Sequence, residues 1–506
     1  MADFFKWLLF LNLKVDLISR KIKDNYVHLL GKNVRLYKYF MINSKLINLY
    51  LTLDKPELRK LNLWLRSPIH NQHKEVVLLF DYLGERRKIN AVSTQKKRVY
   101  SKVYPNEEYQ ENKFNVLMSY CLKNLLAFIG FLKAESEGFY YEKFVVNSLS
   151  SRKMFKMAEK SLDNLGRELQ ENQLMNAQKA MWEFQKEVEK YLLVSTKNRT
   201  VQPELTLLFE QLNIFYVLSM LKYACVAVSQ SNISKKESFS IEMLNEVLHF
   251  SHNSKHPVVQ LYYNSYKSIL DAEEADYYEK ASCQFLDIHP KLDKSEQRDI
   301  LLMLINYSIK KLNTGISEFR RKAFDWYKWG LVNEILIKDN YLSRFSFINI
   351  ASLGLKLKEF GWVASFIDAY SDFIEGKHRS NYVHYTTAKL FFYQKEYKKT
   401  QQLLLQVEYE DIFLNLDAKT MLLEIYYEEK SYDALEALLV SFSRYLQRKS
   451  VIAYHKQVYK NIIQIIRKML DVAPYDKEAV AKLKSQIENT YPIAEKEWLL
   501  QQVDKL

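Results

Sequence analysis

The sequence predicts an all-α protein, a helical array or solenoid of antiparallel helix pairs. Gly occurs only 10 times and Pro 8 times in 506 residues, under 4% of the chain where about 12% is average. β-Hairpins and phosphate-binding loops need Gly at their turns, so both are disfavoured. Apolar residues recur at helical spacing through most of the chain, and helix pairs repeat toward its end. We therefore expect mostly helix and almost no strand.

The composition also limits the class of protein and its compartment. Hydrophobic residues form 48% and charged residues 26% of the chain, which allows a sizeable core and argues against bulk disorder. Cys121, Cys225 and Cys283 lie far apart, with no CxxC pair, which indicates a reducing compartment and disfavours a zinc ribbon. The longest apolar run, residues 125–132, is much shorter than the roughly 18 residues of a membrane span. We expect a cytoplasmic protein with no transmembrane segment.

The positive charge is concentrated at the start of the chain. The net charge is +14. Residues 1–40 contain 8 Lys or Arg against 3 Asp or Glu, residues 41–133 contain 16 against 8, and residues 134–506 contain 50 against 49. A basic end on a nearly neutral body indicates an anionic partner.

Residues 1–40 are an N-terminal extension with two possible interpretations. Residues 4–11 are apolar but short, and no small-residue cleavage site follows them, so a signal peptide is disfavoured. Residues 11–17 alternate with period two, which fits no neighbouring helix. Regular helical periodicity begins at Met41, so Met41 is one candidate for the natural start. The alternative is an amphipathic arm that binds a membrane surface or a partner.

Residues 41–133 are predicted to form a basic helical unit. Asp54, Pro56 and Glu57 mark a helix start with a capping box. Three further helices are expected over residues 73–83, 93–103 and 111–133. A few short helices with a basic surface are compatible with a helix-turn-helix DNA-binding unit, although no recognition-helix signature is present. The alternative is a solvated basic cap of the helical array.

Two basic clusters in this unit are its possible nucleic-acid contacts. They consist of Arg86, Arg87 and Lys88, and of Lys96, Lys97 and Arg98.

Residues 134–313 are predicted to continue the helical array. Pro203, Pro257 and Pro290 each lie at or beside a helix boundary. The expected helices cover approximately residues 139–165, 166–195, 203–230, 237–252, 257–271, 273–286 and 293–313.

A repeat is visible in residues 314–506. Trp362, Tyr397 and Tyr432 are 35 residues apart, and each follows a short polar turn. Leu357, Phe392 and Tyr427 keep the same offsets. This pattern predicts helix pairs that bury their apolar faces only when they stack on their neighbours, with the three aromatic residues defining the repeat.

Residues 345–446 resemble the tetratricopeptide family, whose units of 34 residues place an aromatic residue at the turn and a small residue three places later. Ser365 and Thr400 fit the small position and Leu435 departs from it, while the usual Gly of the first helix and the Pro that ends each unit are missing. The resemblance implies a right-handed superhelix with a peptide-binding face and no catalytic residues.

The sequence contains no recognised catalytic motif. P-loop, GxSxG, HExxH and GxGxxG patterns are absent, so we expect neither a catalytic residue nor a cofactor nor a metal. His249, His252 and His256 form the only histidine cluster, and we interpret it as a helix end rather than a metal site. The sequence therefore favours a non-enzymatic scaffold that binds an unknown protein or peptide partner. The alternative is a nucleic-acid-associated or regulatory protein that uses residues 41–133.

Overall fold

A computed structural model shows the all-α fold that the sequence predicts. Of the residues that it describes, 78% are helical and about 1% are in strands, and 23 α-helices pack against their neighbours. The described residues are 40–85, 89–197, 204–234, 240–270, 275–407, 412–448, 453–473 and 476–506.

The first nine helices lie before residue 235. Their bounds are α1 Lys45–Tyr50, α2 Lys55–Arg66, α3 Lys74–Gly84, α4 Lys96–Val103, α5 Glu111–Ser136, α6 Gly138–Ser151, α7 Phe155–Glu171, α8 Ala177–Lys197 and α9 Thr206–Ser234.

Fourteen helices follow in the remainder of the described chain. They are α10 Leu244–His252, α11 Pro257–Leu270, α12 Ala275–Ile288, α13 Lys294–Asn313, α14 Phe319–Val332, α15 Arg344–Lys356, α16 Phe360–Tyr370, α17 Gly376–Tyr393, α18 Tyr397–Leu404, α19 Ile412–Glu428, α20 Tyr432–Arg448, α21 Ala453–Asp471, α22 Lys477–Asn489 and α23 Lys496–Val503.

The described chain divides into two compact units. The N-terminal unit comprises residues 40–172 and 181–211, and the C-terminal unit comprises residues 173–180 and 212–506. The predicted boundaries after residues 133 and 313 stay predictions, as do those of the N-terminal extension, of which residues 1–39 lie outside the described chain.

Two hydrophobic clusters stabilise the N-terminal unit. The first runs from Met41 to Phe128 and belongs to the predicted basic unit, and the second runs from Phe139 to Leu193. Asp54 caps α2 as predicted, because its carboxylate accepts from the Glu57 amide at 2.8 Å while the Glu57 carboxylate accepts from the Asp54 amide at 2.9 Å.

The predicted helix over residues 139–165 is two helices in the structure. The chain turns between α6 and α7 at Lys153, whose φ is 60°, and the Met154 amide donates to the Leu149 carbonyl at 2.9 Å. This hydrogen bond closes the end of α6. The sequence does not indicate this turn, because the turn uses neither Gly nor Pro, which are the usual signals of a helix end.

The C-terminal unit has a large hydrophobic cluster from Ala180 to Met421 and a second one from Leu416 to Val503. Three consecutive helix pairs, α15 with α16, α17 with α18 and α19 with α20, cover the predicted repeat. We call the first member of each pair its first helix and the other its second helix. The first helices of the first two pairs also pack on each other, as do those of the last two.

A two-residue hairpin precedes these pairs. Strands β1, Ile337–Lys338, and β2, Tyr341–Leu342, are antiparallel. Asp339 and Asn340 join them with φ of 51° and 63°, the backbone that a tight hairpin needs and that Asp and Asn tolerate.

Candidate functional site: a polar row on the first helices

Backbone hydrogen bonds at the turns fix the register of the three helix pairs. Each turn contains a residue with positive φ, namely Lys358, Lys395 and Lys430. The following amide donates to the carbonyl five residues earlier, as in Glu359 to Gly354 at 2.9 Å and Ser431 to Tyr426 at 2.9 Å. The equivalent lysines are 37 and then 35 residues apart.

This register differs by two residues from the sequence alignment in the first pair. Phe360, the first residue of α16, is the structural equivalent of Tyr397 and Tyr432, which are the first residues of α18 and α20. Trp362 lies one half-turn further along α16. The turn before α16 therefore lies two residues earlier than the constant aromatic spacing of 35 residues indicates.

The three aromatic residues that defined the repeat in the sequence have different surroundings. Trp362 is half-buried, with its ring 4.9 Å from Phe324 and 5.4 Å from Phe366. Tyr397 is also half-buried, whereas Tyr432 is 50% exposed. Only the first two can contribute much to packing.

The position three residues after Phe360, Tyr397 and Tyr432 is buried in all three pairs. Val363, Thr400 and Leu435 occupy this position and are fully buried. In the first pair, a Cβ added to Gly354 would lie 2.6 Å from Cγ2 of Val363, so only Gly fits there. Ser365, which fits the small position in sequence, is exposed.

The same register reveals polar residues at equivalent positions on the three first helices. Ser352, Lys389 and Glu424 lie six residues before the turn lysines, and Lys356, Tyr393 and Glu428 lie two residues before them. Because the two sets are four residues apart, they share one face of each helix. We call these six residues the polar row.

Sequence reasoning missed the polar row. Equivalent residues of the row are 37 and then 35 residues apart in the sequence. Their equivalence becomes apparent only when the three turns are aligned by their hydrogen bonds.

Lys389, a residue of the polar row, forms a buried ion pair. Its ammonium lies 2.9 Å from Oδ2 of Asp417 on α19, and their side chains are 7% and 17% exposed. The Tyr385 hydroxyl donates to the same Asp417 oxygen. Burial and the Asp417 charge raise the pKa of Tyr385 well above 10, so Tyr385 stays a neutral donor.

Glu428 accepts hydrogen bonds from three residues. The Tyr397 hydroxyl donates at 2.5 Å, the Trp498 indole N–H at 3.0 Å and the Gln502 amide at 3.3 Å. Trp498 and Gln502 belong to α23, so Glu428 links the last repeat pair to the C-terminal helix. Desolvation and the Glu428 hydrogen bond and charge raise the pKa of Tyr397.

Glu424 has no such partner in the part of the chain that the structure describes. Its side chain is only 8% exposed, and no hydrogen bond or ion pair to it is formed there. Burial raises its pKa well above 4.5, and the negative charges of Glu495, Asp417 and Glu428 raise it further, whereas Lys356 lowers it. Glu424 therefore has an unmet need for a positive charge or a proton.

Ser352 is the second row residue without a partner. The residue is 2% exposed, and its hydroxyl oxygen forms no hydrogen bond with the described residues. On the same helix, Oδ1 of Asn349 is also buried and unpaired, while its amide nitrogen donates to the Tyr327 hydroxyl at 3.2 Å. Native proteins pair most such atoms, so these two are unusual among buried polar groups.

The second predicted basic cluster lies on α4 in the N-terminal unit. Lys96 is half-buried and lies 3.4 Å from Glu111. Lys97 and Arg98 are exposed and have no ion-pair partner among the described residues. Arg86, Arg87 and Lys88 lie outside the described chain.

A groove of about 910 Å³ lies along α2 and α3 in the same unit. Its wall includes Leu58, Phe80 and Ile89, with Arg59 and Arg66 as cations. Arg66 is held in place because its guanidinium donates to both Asp81 carboxylate oxygens, at 2.8 and 2.9 Å. The side chain of Arg59 has no hydrogen bond or ion pair to the described residues.

The histidine cluster takes part in local contacts at the end of α10. Nδ1 of His252 lies 3.2 Å from the Tyr263 hydroxyl. Nδ1 of His256 accepts from the Val259 amide at 3.4 Å, and burial lowers the pKa of His256. Among the described residues, no group of three His, Cys, Asp or Glu side chains could hold a metal ion.

Two helices pass a test of length and composition for crossing a membrane. They are α5, Glu111–Ser136, and the segment Thr206–Gln230 of α9, and in each 28% of the most apolar window is buried. A core helix of a soluble protein passes the same test, so the expectation of no transmembrane segment stays a prediction.

Comparisons with protein-family models, with curated proteins and with solved structures found no match to this chain.

Proposed function

We propose that the protein is a non-enzymatic scaffold whose C-terminal unit binds a partner polypeptide along the polar row. The observation that carries this proposal is the recurrence of polar side chains at equivalent positions on three successive helices. Packed helices lie about 8–10 Å apart, so the row offers polar groups at regular steps, as an extended peptide requires.

The burial of the row supports a binding role over a solvated surface. Lys389 is 6%, Glu424 8% and Ser352 2% exposed. Polar groups at such depth cost free energy unless they are paired, and a well-packed apolar face would stabilise the array more. A partner that supplies a positive charge to Glu424 gives this cost a function.

Site-specific photo-cross-linking in the source cell tests the scaffold. We would replace Tyr393, in the row, with benzoylphenylalanine and compare it with the same replacement at Tyr432, which is 50% exposed on the second helix of the last pair. We expect discrete protein adducts from position 393 only, and we expect them to resist nuclease. Adducts of equal identity and yield from both positions, or no adduct from either, would contradict the proposal.

Nucleic-acid binding by the N-terminal unit is a second candidate. It is supported by Lys97 and Arg98, which are exposed and have no acidic partner among the described residues. Such cations release counterions from phosphates, so affinity for duplex or single-stranded DNA should fall steeply with salt. In the full chain, Lys97→Gln with Arg98→Gln should reduce both the affinity and the salt dependence. An unchanged salt dependence would remove these residues from consideration.

A further inference from the structure

We propose that Glu424 and Glu495 together bind the cationic side chain of an arginine or lysine of the partner polypeptide. This inference rests on the scaffold function proposed above and specifies the chemistry of its ligand.

Glu424 differs from its acidic neighbours on α19. Asp417 is paired with Lys389 and Tyr385, and Glu428 has the three donors described above. Glu424 is more deeply buried than a carboxylate without a partner should be. Of these three acidic side chains, only Glu424 therefore has no hydrogen-bond donor among the described residues.

Glu495 brings a second free carboxylate to this place. It precedes α23 with φ of 46°, and its carboxylate has no hydrogen bond or ion pair to the described residues. The start of α23 lies against α19, because Trp498, three residues after Glu495, donates to Glu428, one helical turn after Glu424. In agreement with this placement, the charge of Glu495 raises the pKa of both Glu424 and Tyr393. Two carboxylates beside the Tyr393 phenol can accept hydrogen bonds from the planar edge of a guanidinium or from an ammonium group.

The surrounding charges favour a cation over an anion. The ionisable groups around Glu424 are Asp417, Glu428 and Glu495, the phenols Tyr393 and Tyr397, and one cation, Lys356. Arg320 lowers the pKa of Tyr393. Lys389 neutralises Asp417, so the carboxylates of Glu428 and Glu495 against Lys356 leave the immediate surroundings of Glu424 negative.

Burial and the neighbouring carboxylates raise the pKa of Glu424, and an arriving cation replaces any proton that this carboxylate holds. Binding therefore releases a proton from Glu424 when the pH is below its raised pKa. Affinity for the cation should fall as the pH is lowered, because protons compete for the same carboxylate.

The test uses N-acetyl-arginine methylamide as the probe and full-length protein. Saturation-transfer NMR detects weak ligands of a chain of this size. We expect binding to the wild type at pH 8, weaker binding at pH 5, and no binding of the citrulline analogue, which has the same shape without the charge. Glu424→Gln should weaken binding at least 10-fold, whereas Lys356→Gln should strengthen it because it removes the opposing cation.

The opposite effects of the two variants separate the proposal from loss of fold, which would weaken binding in both, and thermal melting of each variant provides the fold control. Equal binding by wild type and Glu424→Gln, equal binding of the citrulline analogue, or no binding at all would overturn the proposal.

The scaffold and its ligand chemistry can fail separately. If position 393 gives the same adducts in wild type and Glu424→Gln, the cationic pocket is refuted and the scaffold stands. If the arginine derivative binds but position 393 gives no adduct, the scaffold is refuted and the pocket stands.

Discussion

Lys389 and Asp417 show what a buried charge costs this fold. Their side chains are nearly inaccessible, so each has lost most of its hydration. Two contacts offset that loss, the 2.9 Å ion pair between them and the hydrogen bond that the Tyr385 hydroxyl donates to Asp417. Removal of one partner leaves the other buried and unpaired. Replacement of both with apolar residues removes the two charges together and leaves neither one unpaired.

Single and double replacements should therefore differ strongly. We expect Asp417→Leu to destabilise the C-terminal unit by about 3–5 kcal/mol and Lys389→Met by a similar amount. The double variant should be much more stable than the sum of the two losses predicts. Urea unfolding curves of all four proteins measure this coupling. Additive losses would mean that the two residues act independently.

At the scale of the element, left-handed turns connect the paired helices. Lys153, Lys358, Lys395 and Lys430 all have φ between 52° and 63°, where an L side chain is strained and Gly is not. The amides after these turns satisfy carbonyls at the ends of the preceding helices. The chain uses Gly in this role at Gly315, whose φ is 97°.

A glycine at one of these turns should therefore stabilise the protein. We expect Lys430→Gly to raise the free energy of unfolding by up to about 1 kcal/mol, because relief of strain exceeds the entropy that Gly loses. The matched control is Ala437→Gly, which lies exposed inside α20 and should cost about 1 kcal/mol. Thermal unfolding should give shifts of opposite sign, and a loss from both would mean that Lys430 is not strained.

At the scale of the whole molecule, stability comes from several cores rather than one. Buried residues form four clusters in the described chain, and each covers a contiguous or nearly contiguous stretch. Packing is mostly between helices adjacent in the chain. In such an array, a destabilising substitution affects the adjacent helices and has little effect on more distant ones.

Phe442 tests this locality, because it is fully buried in the cluster from Leu416 to Val503. We expect Phe442→Ala to cost about 3–5 kcal/mol and to speed amide exchange over residues 412–503. Exchange in the Met41–Phe128 cluster should stay as in the wild type. Val440→Ala, on the exposed side of the same helix, serves as control. Faster exchange throughout the chain would indicate one cooperative core.

Local chemistry determined much of the fold from sequence alone. The scarcity of Gly and Pro and the helical spacing of apolar residues predicted an all-α chain, which is confirmed. The cap at Asp54 was predictable because its partners lie within three residues. Phe360 and Trp362 are both aromatic, so the spacing of 35 residues, taken alone, could not indicate which of them follows the turn.

Tertiary structure decided the candidate site. Asp417 meets Lys389 from another helix, and Trp498 reaches Glu428 from 70 residues away. Sequence periodicity identifies an apolar face, but the partner of a polar side chain depends on which helices become neighbours. Glu424 illustrates the reason, because in sequence it is one more acidic residue on a helix, and only packing shows that it is buried without a donor.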